Sequence, residues 1–220
     1  MAFLRRREIR PELLDGASAE AAAANLGDLR RINRWLGGHD VLRTCLRRLY
    51  APGDAFRLLD IGAASGDTGH LVRRVFPGAE VISLDRIPRN LTLAPAPKLV
   101  ADAFHLPFDD ASFDVAFCSL FLHHFEDSDV VRLLQEMRRI SRRHVLAIDL
   151  ERSLLARQFL PATRWLFGWH AITLHDGPVS VEAAFRPAEL RALAAAAGLR
   201  DITVRTHRPW FRLSVSSTEH

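Results

Sequence analysis

Four residues in one short stretch have the types and the spacing of a ligand site. Asp60 comes two residues before Gly62, Gly66 follows four residues later, and Asp85 ends the next apolar run. Glycines let a backbone approach a ligand closely, and free N–H groups at a helix start attract anions. A carboxylate beside such a loop repels a pyrophosphate but suits a ligand with an ammonium group. The residues indicate a phosphate, dinucleotide or other cofactor site, and the acid favours a cationic ligand.

Two common phosphate-binding motifs do not fit this loop. A Walker loop requires Gly-Lys followed by Ser or Thr, and the stretch contains no lysine. A dinucleotide fingerprint requires G-x-G-x-x-G, but Ala64 and Asp67 stand where its second and third glycines belong. The loop follows an apolar run, Leu58 to Ile61, and leads into an amphipathic segment. It is therefore predicted to turn a buried strand into a helix.

The pattern Asp-x-Gly-x-x-x-Gly resembles motif I of the class I S-adenosylmethionine (SAM)-dependent methyltransferases. Ala64 stands where that family often has a third glycine. Asp85 lies on the order of 20 residues beyond the loop, the spacing at which Rossmann-like folds place a ribose-binding carboxylate. Asp85 could alternatively only cap the loop that follows it. Together with motif I, its position favours the ribose role.

The resemblance implies a complete SAM site, with S-adenosylhomocysteine as the product. The acid of Asp102-Ala103-Phe104 is then expected to accept from the adenine amine, although Phe104 could equally be core. Backbone near Cys118 is expected to hold the methionine portion. The predicted cofactor-binding residues are Asp60, Gly62, Ala63, Gly66, Asp85, Arg86, Asp102, Ala103, Phe104, Cys118 and Ser119.

Two tandem histidines follow the fourth predicted strand. The phrase F-D-V-A-F-C-S-L-F-L-H-H-F resembles methyltransferases related to the quinone-biosynthesis group, where a histidine just beyond the strand often faces the substrate. Ligands of open α/β sheets bind at the carboxyl ends of the strands, which supports a functional role over a buried structural one. His123 or His124 is the first choice for a catalytic base, with His175 behind them.

The surrounding elements must position these groups in a parallel sheet. Apolar runs alternate with helical patterns from residue 56 onward, and a terminal pair of strands flanks Pro209. The resemblance implies a Rossmann-like class I methyltransferase fold: a seven-stranded, mostly parallel sheet flanked by helices. Its expected strand order is 3-2-1-4-5-7-6, with strand 7 antiparallel.

Two segments lie outside this alternation and are predicted to shape the acceptor site. Residues 1–54 are expected to form an N-terminal helical extension or cap, with an irregular arm over residues 1–18, and residues 55–220 the methyltransferase domain. Residues 152–185 form a predicted substrate-covering insertion, rich in aromatic side chains. For Asn33 and Trp35 the alternative is a simple packing role, and for Asp176 the alternative is a simple Asp-Gly-Pro turn. The candidates are Asn33, Trp35, Asp149, Trp165, Trp169 and Asp176.

Composition limits the class of protein. The 220 residues suffice for one domain with a core, and no window approaches a spanning helix. The N-terminus lacks the apolar region of a signal peptide, and the two cysteines predict a cytoplasmic protein without a disulfide framework. The net charge is +4, but the arginine pairs are scattered and do not interleave with aromatics. This distribution disfavours nucleic acid as a partner.

The sequence therefore predicts a SAM-dependent methyltransferase that acts on a small aromatic, phenolic or quinone-like metabolite. Oxygen is favoured over carbon as the acceptor atom, and no metal is implied. Three alternatives remain open at this point. They are a C-methyltransferase of the quinone-biosynthesis type, an RNA or protein methyltransferase, and an accessory protein that binds SAM without chemistry.

Overall fold

The computed structural model describes residues 2–219 and contains a single seven-stranded sheet. Short apolar runs form its inner strands, as parallel strands covered on both faces require. The strands are β1 (Phe56–Ile61), β2 (Ala79–Asp85), β3 (Lys98–Val100), β4 (Phe113–Ser119), β5 (Ser141–Leu150), β6 (Thr203–His207) and β7 (Arg212–Thr218).

The strand order confirms the expected topology. It is β3-β2-β1-β4-β5-β7-β6, with parallel pairing from β3 through β5. Strand β7 runs antiparallel to both of its neighbours, as the resemblance implies. In register, Asp60 of β1 lies beside Ser83 of β2 and Phe117 of β4. The carboxyl ends of the central strands therefore meet at one edge, where the predicted ligand groups come together.

Seven α-helices surround the sheet in the described part of the chain. They are α1 (Ala19–Trp35), α2 (Gly38–Leu46), α3 (Asp67–Val75), α4 (Asp127–Ile140), α5 (Leu154–Phe167), α6 (Ala171–Ala183) and α7 (Pro187–Ala196). Their apolar stripes cover both faces of the sheet. On β4, Val115 and Phe117 pack with α2 and α3, whereas Ala116 and Cys118 pack with α4 and α7. Among the helices described, none has the length and hydropathy that a membrane span requires.

The Asp-Gly-Pro segment is helical, which differs from the alternative of a simple turn. It lies inside α6, where Ile172, Asp176 and Val179 recur at helical spacing and are buried. A Cβ atom on Gly177 would lie 2.4 Å from Cδ1 of Leu160 in α5. Close packing of α5 on α6 therefore holds this glycine and the following proline in a helix, against their local preference.

Candidate active site

The carboxyl ends of β1, β2, β4 and β5 open into a cavity of about 910 Å³. Residues of α1, α5 and α6 and an N-terminal segment, residues 9–14, complete its wall. Most of the residues predicted from the sequence lie on this wall. Those that line it are Asn33, Asp60, Gly62, Ala63, Asp85, Arg86, Asp102, Ala103, Phe104, Ser119, His123, His124 and Asp176.

Asp60 is a buried carboxylate with an unused oxygen. It is 2% exposed, and its Oδ2 has no hydrogen-bond partner among the described residues. Burial raises the pKa of Asp60 well above its usual range, and the charges of Asp67 and Asp85 raise it further. An ammonium group beside Asp60 would supply the missing partner and favour the ionised form. The site therefore fits a ligand with a cationic amine.

Gly62 provides the close backbone approach that the motif requires. Its φ is +69°, and a Cβ atom there would lie 2.5 Å from Cδ2 of Phe121. Gly66 has a similar φ of +70°, but it lies outside the cavity wall and precedes α3. A Cβ atom on Gly66 would lie 2.7 Å from the backbone of Ala94. The first glycine thus shapes the cavity, and the second positions the helix.

We expect Gly62→Ala to lower the free energy of unfolding by about 1–3 kcal/mol, because the left-handed backbone is strained for alanine. The new methyl group must also displace the Phe121 ring. Urea denaturation measures the change. Gly53→Ala is the matched control, because a Cβ atom there meets nothing within 4 Å. Equal stability of the two variants would contradict the argument.

Asp85 connects the loops that follow β1 and β2. Its Oδ2 accepts from the Ala64 N–H at 3.1 Å, and its Oδ1 accepts from the Ile87 N–H at 2.8 Å. The Asn90 amide donates to the same Oδ1 at 3.3 Å. These contacts hold the carboxylate at the cavity wall, next to the loop of Gly62. Asp85 thus has a structural role whether or not it also contacts a ribose.

The predicted adenine segment forms a compact turn on the same wall. Oδ1 of Asp102 accepts from the Phe104 N–H at 2.9 Å. The Phe104 ring packs edge-on against Phe125, with centroids 5.4 Å apart, and Arg132 lies over it. The contact of the Asp102–Phe104 segment with adenine stays a prediction.

His123 is held by a buried carboxylate at the end of β5. Its Nδ1 lies 2.7 Å from Oδ1 of Asp149, and its backbone N–H donates to Oδ2 of the same residue at 3.2 Å. Asp149 does not line the cavity, so the structure places it behind the histidine. Nε2 of His123 lies 3.9 Å from Oε1 of Glu12. This arrangement fixes the ring with Nδ1 toward Asp149 and Nε2 toward the cavity.

The two tandem histidines have opposite electrostatic environments. Burial disfavours a charged His123, but the charge and hydrogen bond of Asp149 outweigh burial, with Glu12 adding to them, so its pKa is raised. Desolvation and the neighbouring His123 lower the pKa of His124, although 37% of its side chain is exposed to solvent. His123 is therefore the stronger base. His175 lies outside the cavity wall, with its side chain 51% exposed and bonded to Asp176.

Glu12 reaches the site because α6 holds the N-terminal segment. Asp176 accepts from the Leu13 and Leu14 N–H groups at 2.9 and 3.0 Å, and the Ser180 hydroxyl donates to Glu12. The sequence predicts that Asp176 contacts the substrate, and the structure gives it this positioning contact as well as a place on the wall. The segment expected to be an irregular arm thus contributes a carboxylate to the cavity.

Glu12, His123 and His124 also have the ligand types of a cation site. One ligand atom from each lies within 4.8 Å of the others. Such a set suits ions that accept imidazole and carboxylate ligands, and a carboxylate behind the histidine, as Asp149 is, commonly orients metal-bound imidazoles. The expectation that no metal is involved stays a prediction, which chelation tests.

The three predicted tryptophans and one cysteine lie away from the cavity. Trp165 is 86% exposed, Trp35 is 49% exposed, and Trp169 is buried with its Nε1 donating to Thr163. Cys118 is buried in the core beneath the wall. Aromatic side chains outside the predicted site residues line the cavity instead. They are Phe121, Phe125, Phe159, Trp210 and Phe211.

Comparison with known proteins identifies the family. A model of a methyltransferase domain matches residues 59–158. A demethylmenaquinone methyltransferase of Thermus thermophilus is 30% identical over 163 residues, which are 64% of this chain and 73% of that protein. A demethylmenaquinone methyltransferase of Thermotoga maritima is 33% identical over 100 residues, but this match spans only 43% of each chain.

A solved structure shows the same fold over nearly the whole chain. It is a methyltransferase of Haloferax volcanii in complex with the Trm112 methyltransferase activator. The TM-score is 0.65 at 18% identity, and the match covers 96% of this chain and all of the other. The loop around Gly62, the strand order and the aligned relatives all indicate the same family. The chain therefore belongs to the class I SAM-dependent methyltransferases.

Proposed function

We propose that the enzyme methylates a hydroxyl oxygen of a small aromatic or quinone-like metabolite, with His123 as the general base. The observation that carries this proposal is the buried pair of His123 and Asp149 at the cavity wall, with Nδ1 and Oδ1 2.7 Å apart. A phenol has a pKa of about 10, so deprotonation at neutral pH requires a base close to the hydroxyl.

The residues of the cavity divide into a cofactor half and an acceptor half. In the cofactor half, Asp60 would hold the ammonium group, Asp85 the ribose hydroxyls, and the Asp102–Phe104 turn the adenine. SAM supplies an electrophilic methyl group bonded to a sulfonium sulfur. The enzyme's own task is then to orient the acceptor oxygen in line with that methyl group and to remove its proton.

His123 can remove that proton because its Nε2 is available while Nδ1 is engaged. The acceptor O–H bond would break and its proton would move to Nε2. The oxygen's electron pair would form the new O–C bond while the methyl–sulfur bond breaks and leaves its electron pair on the sulfur. Asp149 stabilises the resulting imidazolium, as an orienting carboxylate does behind other catalytic histidines. Glu12, on the other side of the ring, stabilises the same charge.

The acceptor class is supported by the wall and by the relatives. Six phenylalanine and tryptophan side chains line the cavity, and flat apolar surfaces of this kind suit a planar ring. Both relatives described above carry the name demethylmenaquinone methyltransferase, which favours a quinone-like acceptor. The same names favour C-methylation of a quinone-type ring as the second candidate.

The cavity wall also supports a proposal for the domain organisation. We propose that residues 1–54 form a cap and residues 152–185 a cover over the methyltransferase domain. Supporting this, Asn33 of α1 and several residues of α5 and α6 line the cavity. Asn33 also donates to Asp67 at the start of α3, at 3.1 Å.

The test is a methyl-transfer assay with labelled SAM and a panel of phenols, catechols and hydroquinones, with total RNA as a competing acceptor. We expect label on a phenolic oxygen, located by mass spectrometry and NMR. Label on ring carbon would support the second candidate, and label on RNA alone would refute both. An EDTA-treated sample tests the cluster of Glu12, His123 and His124. Loss of turnover that Zn²⁺ or Mn²⁺ restores would replace the base by a metal site.

A further inference from the structure

Arg212 is a buried cation on the wall of the cavity. It is the first residue of β7, opposite Leu150 at the end of β5. The residue is 2% exposed and is among the largest fully buried side chains of the chain. It nevertheless lines the cavity, together with the preceding residues from Pro209 to Phe211.

The guanidinium group of Arg212 has no partner in the described part of the chain. Its Nη1 is sealed from solvent without a hydrogen bond, and no described carboxylate forms an ion pair with the side chain. Burial lowers the pKa of Arg212 to about 10, while the charges of Asp149 and Asp67 act in the opposite direction. The group therefore stays charged at neutral pH. An unpaired buried charge is strongly unfavourable, so proteins seldom retain one without a ligand.

Two other arginines with buried side chains form ion pairs, although Nε of Arg152 has no hydrogen-bond partner among the described residues. Arg152 donates to Glu189 and to the Ala184 carbonyl. Arg7 donates to the Ala183 and Phe125 carbonyls and forms an ion pair with Asp127. Arg212 thus differs from Arg152 and Arg7 in that it forms no ion pair with a described residue.

We propose that Arg212 is the receptor for a carboxylate of a ligand bound in the cavity. A guanidinium binds a carboxylate through two parallel hydrogen bonds, one of which would satisfy the buried Nη1. Two ligands could carry that group: the amino-acid portion of the cofactor, or an acidic acceptor. The second source rests on the proposed function, because it makes the aromatic acceptor an acid.

Calorimetry with two pairs of probes separates these sources. The first pair is S-adenosylhomocysteine and 5′-methylthioadenosine, which lacks the amino-acid portion. The second pair is salicylate and the neutral salicylamide, titrated into protein saturated with S-adenosylhomocysteine. We expect Arg212→Met to weaken the carboxylate member of one pair at least tenfold and to leave its neutral partner unchanged. Arg212→Lys keeps the charge but cannot form the two parallel hydrogen bonds. Its affinity for the carboxylate ligand should lie between those of wild type and Arg212→Met.

Arg205→Met is the matched control. Arg205 lies on the neighbouring strand β6, beside Ser214, is exposed and does not line the cavity. Melting curves without ligand give an independent signature, because removal of an unpaired buried charge should not lower the melting temperature. A purely structural role would lower it.

Each result decides the proposal. The proposal would be overturned if Arg212→Met bound both carboxylate probes with wild-type affinity, or if it lost equal affinity for both members of a pair. If Arg212→Met does not fold, the comparison uses wild type and Arg212→Lys. The proposal would then be overturned if wild type bound the carboxylate and neutral members of each pair equally well. It would also be overturned if Arg212→Lys kept the full wild-type preference for the carboxylate member. Wild-type protein that fails to methylate any aromatic acceptor would refute the proposed function, while the first pair of probes still tests Arg212.

Discussion

Replacement of His123 by glutamine lowers the turnover number by about 10²- to 10⁴-fold, the usual contribution of a positioned base. We expect this loss because the buried carboxylate of Asp149 holds His123 at the cavity wall, and among the described residues it forms no such hydrogen bond with the His124 side chain. Affinity for S-adenosylhomocysteine should change little, because His123 belongs to the acceptor half. Steady-state turnover with the best phenolic acceptor, alongside calorimetry, measures the two quantities.

His70→Gln serves as the control for this experiment. His70 is an exposed residue of α3 and does not line the cavity. A His123→Gln enzyme with turnover within twofold of wild type would remove the base assignment. Melting temperature is recorded for both variants, because Asp149 loses its buried partner in the first of them.

The pH profile gives a signature that a structural role would not produce. His123 must be neutral to accept a proton, so turnover should rise as pH increases through its raised pKa. Asp149→Asn removes the charge that raises this pKa. The acidic limb of the profile should therefore move to lower pH, while the plateau falls because the imidazolium loses its stabilising carboxylate. A limb that stays in place would mean that another group titrates.

Replacement of Asp85 by alanine weakens S-adenosylhomocysteine binding by about 10- to 150-fold, corresponding to a charge-assisted contact of roughly 1.5–3 kcal/mol. Part of the effect is indirect, because the Ala64 and Ile87 N–H groups lose their acceptor. Asp85→Asn keeps an oxygen for those donors but loses the charge and one acceptor for the ribose hydroxyls. Its affinity for S-adenosylhomocysteine should therefore lie between those of wild type and Asp85→Ala.

Asp109→Ala, which replaces an exposed acid outside the cavity wall, is the control for Asp85. Calorimetry gives the affinities, and urea denaturation reports how much the loops depend on the carboxylate. Unchanged affinity in Asp85→Ala would exclude the ribose assignment. A loss of stability with unchanged affinity would leave Asp85 only its structural contacts.

Much of the fold could be predicted because its signals are local. The apolar runs of β1 and β4 and the turn at Gly62 are each encoded by adjacent residues. Because their order in the chain resembles that of the family, the order of the strands in the sheet could be predicted as well. The Asp-Gly-Pro segment shows the limit of local signals, because it lies inside a helix whose Gly177 packs against Leu160 of α5.

The sequence by itself determined the class of site: an acidic strand end, a glycine turn and two histidines beyond β4. Only the tertiary structure decided which groups meet there. It brings Glu12 beside His123, puts Asp149 behind that ring and leaves Arg212 unpaired on the wall. It also turns Trp165 to solvent. The physical reason is chain separation, since the contacts that place Glu12 join residues as far as 168 positions apart, and no local pattern encodes them.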